Sequence, residues 1–152
     1  MRFFVLLFAT GLGTGYSPIA PGTMGTLVAV PAFLLLSSIP FPLYELTLFA
    51  FFFLATWLSD NAERYFGKKD DGRIVIDEVM GFFLTMLWIP GTVLTVVIGF
   101  FLFRFFDIFK PFPIRHVERK CKGGWGVVLD DVLAGIYANI ALHIIVSLIV
   151  RN

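Results

Sequence analysis

The chain has 152 residues, a formal net charge of +1, and a composition that is 58% hydrophobic and only 15% charged. Soluble domains carry about 25% charged residues. A fold of this size has too little interior to hide so much apolar surface, 19 phenylalanines among it, so the expected class is a single integral-membrane domain over residues 1–152. The near-neutral total gives no global argument for nucleic acid, and one cysteine, Cys121, excludes an internal disulfide or a multi-cysteine metal site.

In chain order, Met1 to Thr10 places Arg2 before an apolar run but is followed by no Ala-x-Ala-like cleavage site. Gly11-Leu12-Gly13-Thr14-Gly15-Tyr16-Ser17-Pro18 is turn-forming, so the opening reads as a retained interfacial or re-entrant segment. Met24 to Ile39 is the first span, and Pro40-Phe41-Pro42 forces a turn after it. Leu43 to Leu58 is the second span, leading through Asp60 and Glu63 into the polar loop Gly67 to Arg73. The third helix is predicted from near Ile74 to Trp88-Ile89-Pro90-Gly91. Its purely apolar part, Val79 to Pro90, rises only roughly 18 Å against a hydrocarbon core of about 30 Å, which puts Asp77 and Glu78 at or just inside the boundary. Thr92 to Phe106 returns, and a last helix covers about Val132 to Val150. The predicted fold class is therefore all-α: a multi-pass bundle of four to five membrane-embedded helices with the N-terminal segment beside it.

Orientation follows from the basic residues. Arg64, Lys68, Lys69 and Arg73 follow the second span, and Lys110, Arg115, Arg119, Lys120 and Lys122 follow the fourth, whereas the opposite turns carry none. By the positive-inside rule both basic loops are cytoplasmic. Every carboxylate except Glu45 falls on that same face. Carboxylates beside lipid are expensive, so they gather around partners, a metal or a water-filled site.

Three acidic clusters define the candidate chemistry. Asp77-Glu78 lies between Ile76 and Val79; first-turn acids complement the helix dipole, but capping does not explain an adjacent pair there. Arg104, Asp107 and Lys110 recur every three residues, which places them on one helical face, either as a salt-bridge ladder or as a carboxylate flanked by phosphate-holding cations. Asp130-Asp131 is expected at the start of the last helix, as an N-cap or as metal ligands, with Ala134-Gly135 allowing close helix approach. A further segment, Pro21-Gly22-Thr23-Met24-Gly25-Thr26, offers backbone N–H groups at a helix start as a nest for an anion, although no Walker lysine follows. His116 and His143 form no metal pair by spacing; His143 is expected to hydrogen-bond inside the bundle.

Oxygen-only ligands suit Mg²⁺, with Mn²⁺ as a substitute, better than zinc. The candidate ligands are Asp77, Glu78, Asp107 and Asp131, with Glu78 or Asp130 as the base for water. Arg104, Lys110 and the Gly22, Thr23, Gly25 and Thr26 segment are the candidate phosphate contacts. A bound Mg²⁺ polarises a phosphoryl oxygen, and most of the remaining catalysis is positioning plus electrostatics.

Four segments in order, SPIAPGTMGT, GRIVIDEVMG, FRFFDIFKPFPIR and GGWGVVLDDVLAG, resemble the phosphatidylglycerophosphatase A family over nearly the whole chain. The resemblance implies an Mg²⁺-dependent, multi-pass phosphatase of the bacterial inner membrane. It would hydrolyse phosphatidylglycerophosphate, drawn from the inner leaflet, to phosphatidylglycerol and phosphate at the cytoplasmic face, a step of phospholipid biosynthesis. The family's essential carboxylates map onto Asp77, Glu78, Asp107, Asp130 and Asp131, and its lysine onto Lys110. Thr26 stands where a serine is common and Ile76 where some members carry an aromatic. Other lipid-phosphatase types fit poorly: no Pro-Ser-Gly-His and no Asp-x-Asp occurs. The rival reading, a non-enzymatic ion-coupled transporter or channel subunit using the same acids, predicts acids spread through membrane depth; here they stack at one face.

Overall fold

The computed structural model describes residues 1–150 and is all-helical over them, with seven α-helices and no strand among the described residues. The first helix, α1 (Arg2–Ala9), has eight residues, about 12 Å, too short to cross a bilayer. A 3₁₀ turn over Thr14–Tyr16 follows. Helix α2 (Pro21–Leu36) starts on a proline, whose fixed φ suits a first helical position. Helix α3 (Phe41–Phe66) also carries proline in its first turn and ends on Gly67 at φ +68°, the left-handed closure glycine allows. Helix α4 (Ile76–Thr85) has ten residues. Helix α5 (Val93–Phe109) opens with a reciprocal cap between Thr92 and Thr95 and stops at Lys110 before Pro111. Helix α6 (Ile114–Lys120) is a short surface piece, and α7 (Gly124–Val150) closes the described chain.

Two helices, α3 and α7, are long and apolar enough to cross a membrane. The outward faces support that reading: Phe49, Phe53 and Trp57 on α3, Phe101 and Phe105 on α5, and Ile140, Ile144 and Leu148 on α7 are all exposed. So large an apolar exterior marks a surface made for contact with lipid or another protein. Of the four to five embedded helices expected, these two have full membrane length. Helices α2 and α5 are shorter, and α4 is a central half-helix rather than a full span, because the helix ends at Thr85 and the apolar residues Met86 to Pro90 continue as a turn.

Helix α4 is buried on nearly every side and packs against α7, α3 and α2. Its C-terminal carbonyls end inside the bundle, where water cannot satisfy them, so neighbouring helices supply the donors. Tyr44 Oη donates to Phe83 O at 2.8 Å, and Asn139 Nδ2 to Thr85 O and Leu87 O at 2.9 Å each. His143 Nε2 lies 3.3 Å from Leu87 O, which matches its expected role within the bundle. Glycine sets the spacing to α7: a Cβ on Gly135 would lie 2.5 Å from Gly81 O, so the Ala134-Gly135 pair does permit close approach.

The N-terminal side of α4 is fixed by the segments that lead up to it. Val75 N donates to Ala9 O at 2.9 Å, tying the start of α4 to the end of α1. In the preceding loop Arg73 clamps Asp71 through Nε–Oδ1 (2.7 Å) and Nη2–Oδ2 (2.9 Å), and its guanidinium covers the Phe66 ring at 3.8 Å.

One predicted boundary shifts substantially. Helix α7 begins at Gly124, not near Val132, because the run Gly123-Gly124-Trp125-Gly126 is a packing device rather than a loop. A Cβ on Gly124 would overlap Thr56 O of α3, and Gly124 N donates to Asp60 Oδ1 at 3.4 Å. Asp130 and Asp131 therefore sit inside the helix, and neither is its N-cap.

Two stability outcomes follow. Asn139→Leu removes the donor to two buried carbonyls and is expected to lower stability by about 1–3 kcal/mol, read as a fall in melting temperature in detergent. The Arg73 hydrogen bonds hold the Asp71 carboxyl below the ordinary carboxylate range. A depressed folded-state value stabilises above the unfolded value of about 3.9 and is lost as pH falls through it. The melting-temperature gap between wild type and Asp71→Asn should therefore be constant near neutrality and shrink below about pH 4.

Candidate active site

The buried first turn of α4 and the second turn of α7 face each other, and this brings the sequence-separated acids together. One carboxylate oxygen from each of Asp77, Glu78 and Asp131 lies within 4.8 Å of the other two. Asp77 and Asp131 are buried and Glu78 is nearly so. Three oxygens at that spacing, drawn from two helices, make a donor set of the kind hard divalent cations take.

Helix α5 supplies the countercharge on one side. Arg104 Nη1 lies 2.6 Å from Asp107 Oδ2 and 3.9 Å from Glu78 Oε1. The shorter contact is a charge contact without hydrogen-bond alignment, since Arg104 Nη1 and Nε are both buried without a hydrogen-bond partner. On the other side Lys110 Nζ lies 2.6 Å from Asp130 Oδ2 and 3.2 Å from Glu118 Oε1. Burial disfavours the lysine's charge, but the Asp130 and Glu118 carboxylates outweigh it and hold the ammonium above the usual lysine value.

The predicted Arg104–Asp107–Lys110 face thus divides. Helix α5 ends at Phe109, Lys110 takes a left-handed conformation at φ +45°, and its side chain swings to α7 and α6. Asp107 joins Arg104 and stays outside the three-carboxylate group.

The glycine-rich start of α2 contributes by proximity. A Cβ on Gly22 would overlap Glu78 Oε1 and lie 3.1 Å from Arg104 Nη1, so only glycine lets this turn approach the acids. Gly25 faces Val75 instead, and the buried Thr26 hydroxyl donates to Gly22 O at 2.9 Å within its own helix. Thr23 is half-buried in the same first turn.

The centre is short of positive charge. Five carboxylates (Asp77, Glu78, Asp107, Asp130, Asp131) meet two side-chain cations (Arg104, Lys110). Asp77 Oδ1, Glu78 Oε2 and Asp130 Oδ1 are all buried without a hydrogen-bond partner. In a low-dielectric site such oxygens require another cation or donor. The residues present therefore fit a divalent cation held by Asp77, Glu78 and Asp131.

Sequence reasoning missed Glu118 and Asn139. Glu118 is the lone acid among the cations of α6, and Asn139 a lone amide in an apolar run; polar residues so placed are the available signal.

Helices of membrane length around a buried, cation-poor acidic centre point to a membrane protein built around a carboxylate cluster. Comparison with known proteins gives the family. The profile described as phosphatidylglycerophosphatase A matches residues 7–146. Phosphatidylglycerophosphatase A of Escherichia coli is 38% identical over 140 residues, covering 91% of this chain and 81% of the relative. That of Haemophilus influenzae is 39% identical over 141 residues, covering 91% and 86%. A Bacteroides thetaiotaomicron protein provisionally named as a phosphatidylinositol-3-phosphatase is 39% identical over 150 residues, covering 93% of each chain. No solved structure matches. The chain belongs to the phosphatidylglycerophosphatase A family.

Lys110→Met would leave Asp130 and Glu118 without their shared cation. The expected loss is about 1–3 kcal/mol of stability, with Lys110→Arg retaining more than half of the wild-type gain in melting temperature over Met.

Proposed function

We propose that this protein hydrolyses the terminal phosphomonoester of phosphatidylglycerophosphate, releasing phosphatidylglycerol and inorganic phosphate at the cytoplasmic face of a bacterial inner membrane. The observation that carries the reading is the convergence of Asp77, Glu78 and Asp131 within 4.8 Å, with unpaired buried oxygens beside two cations. Family membership supplies the substrate class. The positive-inside distribution of the basic loops favours the cytoplasmic side.

Asp77, Glu78 and Asp131 would hold Mg²⁺, with Mn²⁺ as a substitute; when bound, the ion supplies electrophilic polarisation of a phosphoryl oxygen. Arg104 lies against Glu78 and Asp107, where its free N–H groups can meet a phosphate oxygen. Asp130 has its Oδ2 fixed by Lys110 and its Oδ1 unpartnered, the arrangement of a base aimed by a cation. Asp130 Oδ1 takes a proton from water as the water oxygen bonds to phosphorus and the bond to the glycerol oxygen breaks. The leaving glycerol oxygen takes up that same proton, which returns Asp130 to its carboxylate, and the products are the alcohol and phosphate. The acyl chains stay against the exposed apolar faces of the helices throughout.

The test is phosphate release by purified protein in detergent with Mg²⁺, with Mn²⁺ and with EDTA. Asp77→Asn and Asp131→Asn should each lower turnover by roughly 100-fold or more, as removal of a ligand or electrostatic partner does. Unchanged turnover in EDTA would remove the metal from the mechanism. Because one relative is named for a different phosphorylated lipid, phosphatidylinositol 3-phosphate belongs in the panel, and preferential turnover of it would reassign the headgroup.

A further inference from the structure

Two large clefts flank α6. One, about 570 Å³, is lined by Lys69, Arg115 and Arg119 but also by the carboxylates of Asp70 and Glu118. The other, about 580 Å³, is lined by Lys110, Arg115, His116 and Arg119 together with Phe109 and Phe112, with no carboxylate among its described lining residues. The two differ in charge while sharing both arginines, and the second adjoins the acidic centre through Lys110, whose ammonium bonds Asp130.

We propose that this second cleft binds the phosphodiester of an anionic lipid headgroup, and so selects lipids that carry a diester next to the phosphomonoester being cleaved. The proposal rests on the phosphomonoesterase reading above. In phosphatidylglycerophosphate a three-carbon spacer separates the two phosphates, and Lys110 both lines the cleft and bonds Asp130, which places the cleft next to the acidic centre. A lipid whose only phosphate is a monoester on diacylglycerol can present it to the acidic centre and leaves the cleft without an anion.

Three features make the cleft a site rather than a basic patch. Arg115 Nη2 donates to Phe109 O at 3.1 Å, which holds the side chain along the cleft wall. Tyr137 Oη donates to Phe112 O at 3.0 Å, pinning the opposite rim to α7. Phe109 stacks on Phe105 with ring centroids 5.6 Å apart and planes 7° from parallel, leaving Phe109 and Phe112 as an exposed apolar lip. Exposed phenylalanines beside arginines suit the boundary between headgroups and acyl chains, the apolar rings entering the chains and the cations facing the headgroups. A planar guanidinium matches phosphate oxygens two at a time, which lysine cannot do.

The decisive experiment uses the full chain in detergent and short-chain phosphatidylglycerol, which carries the diester and no monoester. Calorimetric titration should show wild type binding it in preference to short-chain phosphatidylcholine and inorganic phosphate. Arg115→Gln with Arg119→Gln should weaken that binding by roughly tenfold or more, and in turnover should penalise phosphatidylglycerophosphate more than phosphatidic acid. Arg115→Lys with Arg119→Lys, the milder pair should the glutamines unfold the protein, should lie between. Asp131→Asn should keep phosphatidylglycerol binding. Wild-type affinity in the arginine variants, or full displacement of phosphatidylglycerol by equimolar inorganic phosphate, would overturn the proposal. Arginine-dependent diester binding without hydrolysis of phosphatidylglycerophosphate would count against the proposed activity and leave the diester site standing.

Discussion

The arrangement of this bundle depends on α4 being held in the middle although it is too short to cross. Ten residues rise about 15 Å, so both ends of α4 lie among other helices rather than in solvent. The C-terminal end exposes carbonyls, which Tyr44, Asn139 and His143 satisfy. The N-terminal end presents Asp77 and Glu78, with Asp131 of α7 joining them and Arg104 of α5 beside them. One short helix thereby explains why α3 and α7 carry isolated polar groups in apolar runs and why α5 carries an arginine.

The contact between α4 and α7 converts that burial into geometry. Gly81 and Gly135 let the two backbones meet, and the acids one turn away are then forced together. Like charges at this spacing repel strongly in a poorly polarisable interior. The bundle answers with two separate ion pairs, Arg104–Asp107 and Lys110–Asp130, beside the three-carboxylate group. Only the longer Arg104–Glu78 contact reaches the group itself, and the residual demand for positive charge is what a phosphatase of this type would use.

The order of the longer apolar helices and the clustering of the acids were legible in the sequence because both follow from hydropathy and from the expense of putting carboxylates near lipid, whereas α6 lay inside what read as a basic loop. The site's internal wiring was less so. The spacing of Arg104, Asp107 and Lys110 implied one face, but Pro111 ends the helix early and Lys110 turns away to Asp130. The last helix read as starting only near Val132, past Gly123-Gly124-Trp125-Gly126, since glycine is a poor helix former; the role of that run in close packing on Thr56 and Asp60 exists only in three dimensions. The third helix read as longer than it is, because the turn from Met86 to Pro90 is as apolar as the helix before it.

The missing side chain at Gly22 shapes how substitution experiments on this family should be interpreted. By admitting the first turn of α2 to Glu78, it brings the positive end of a helix dipole against the acids. That contribution comes from main-chain amides, so it has no titration curve and no side chain whose removal would reveal it. A residue-by-residue scan would score Thr26 by its bond to its own helix and Gly22 as indispensable. The glycine would then be mistaken for a participant, when its role is to leave room for the backbone around it.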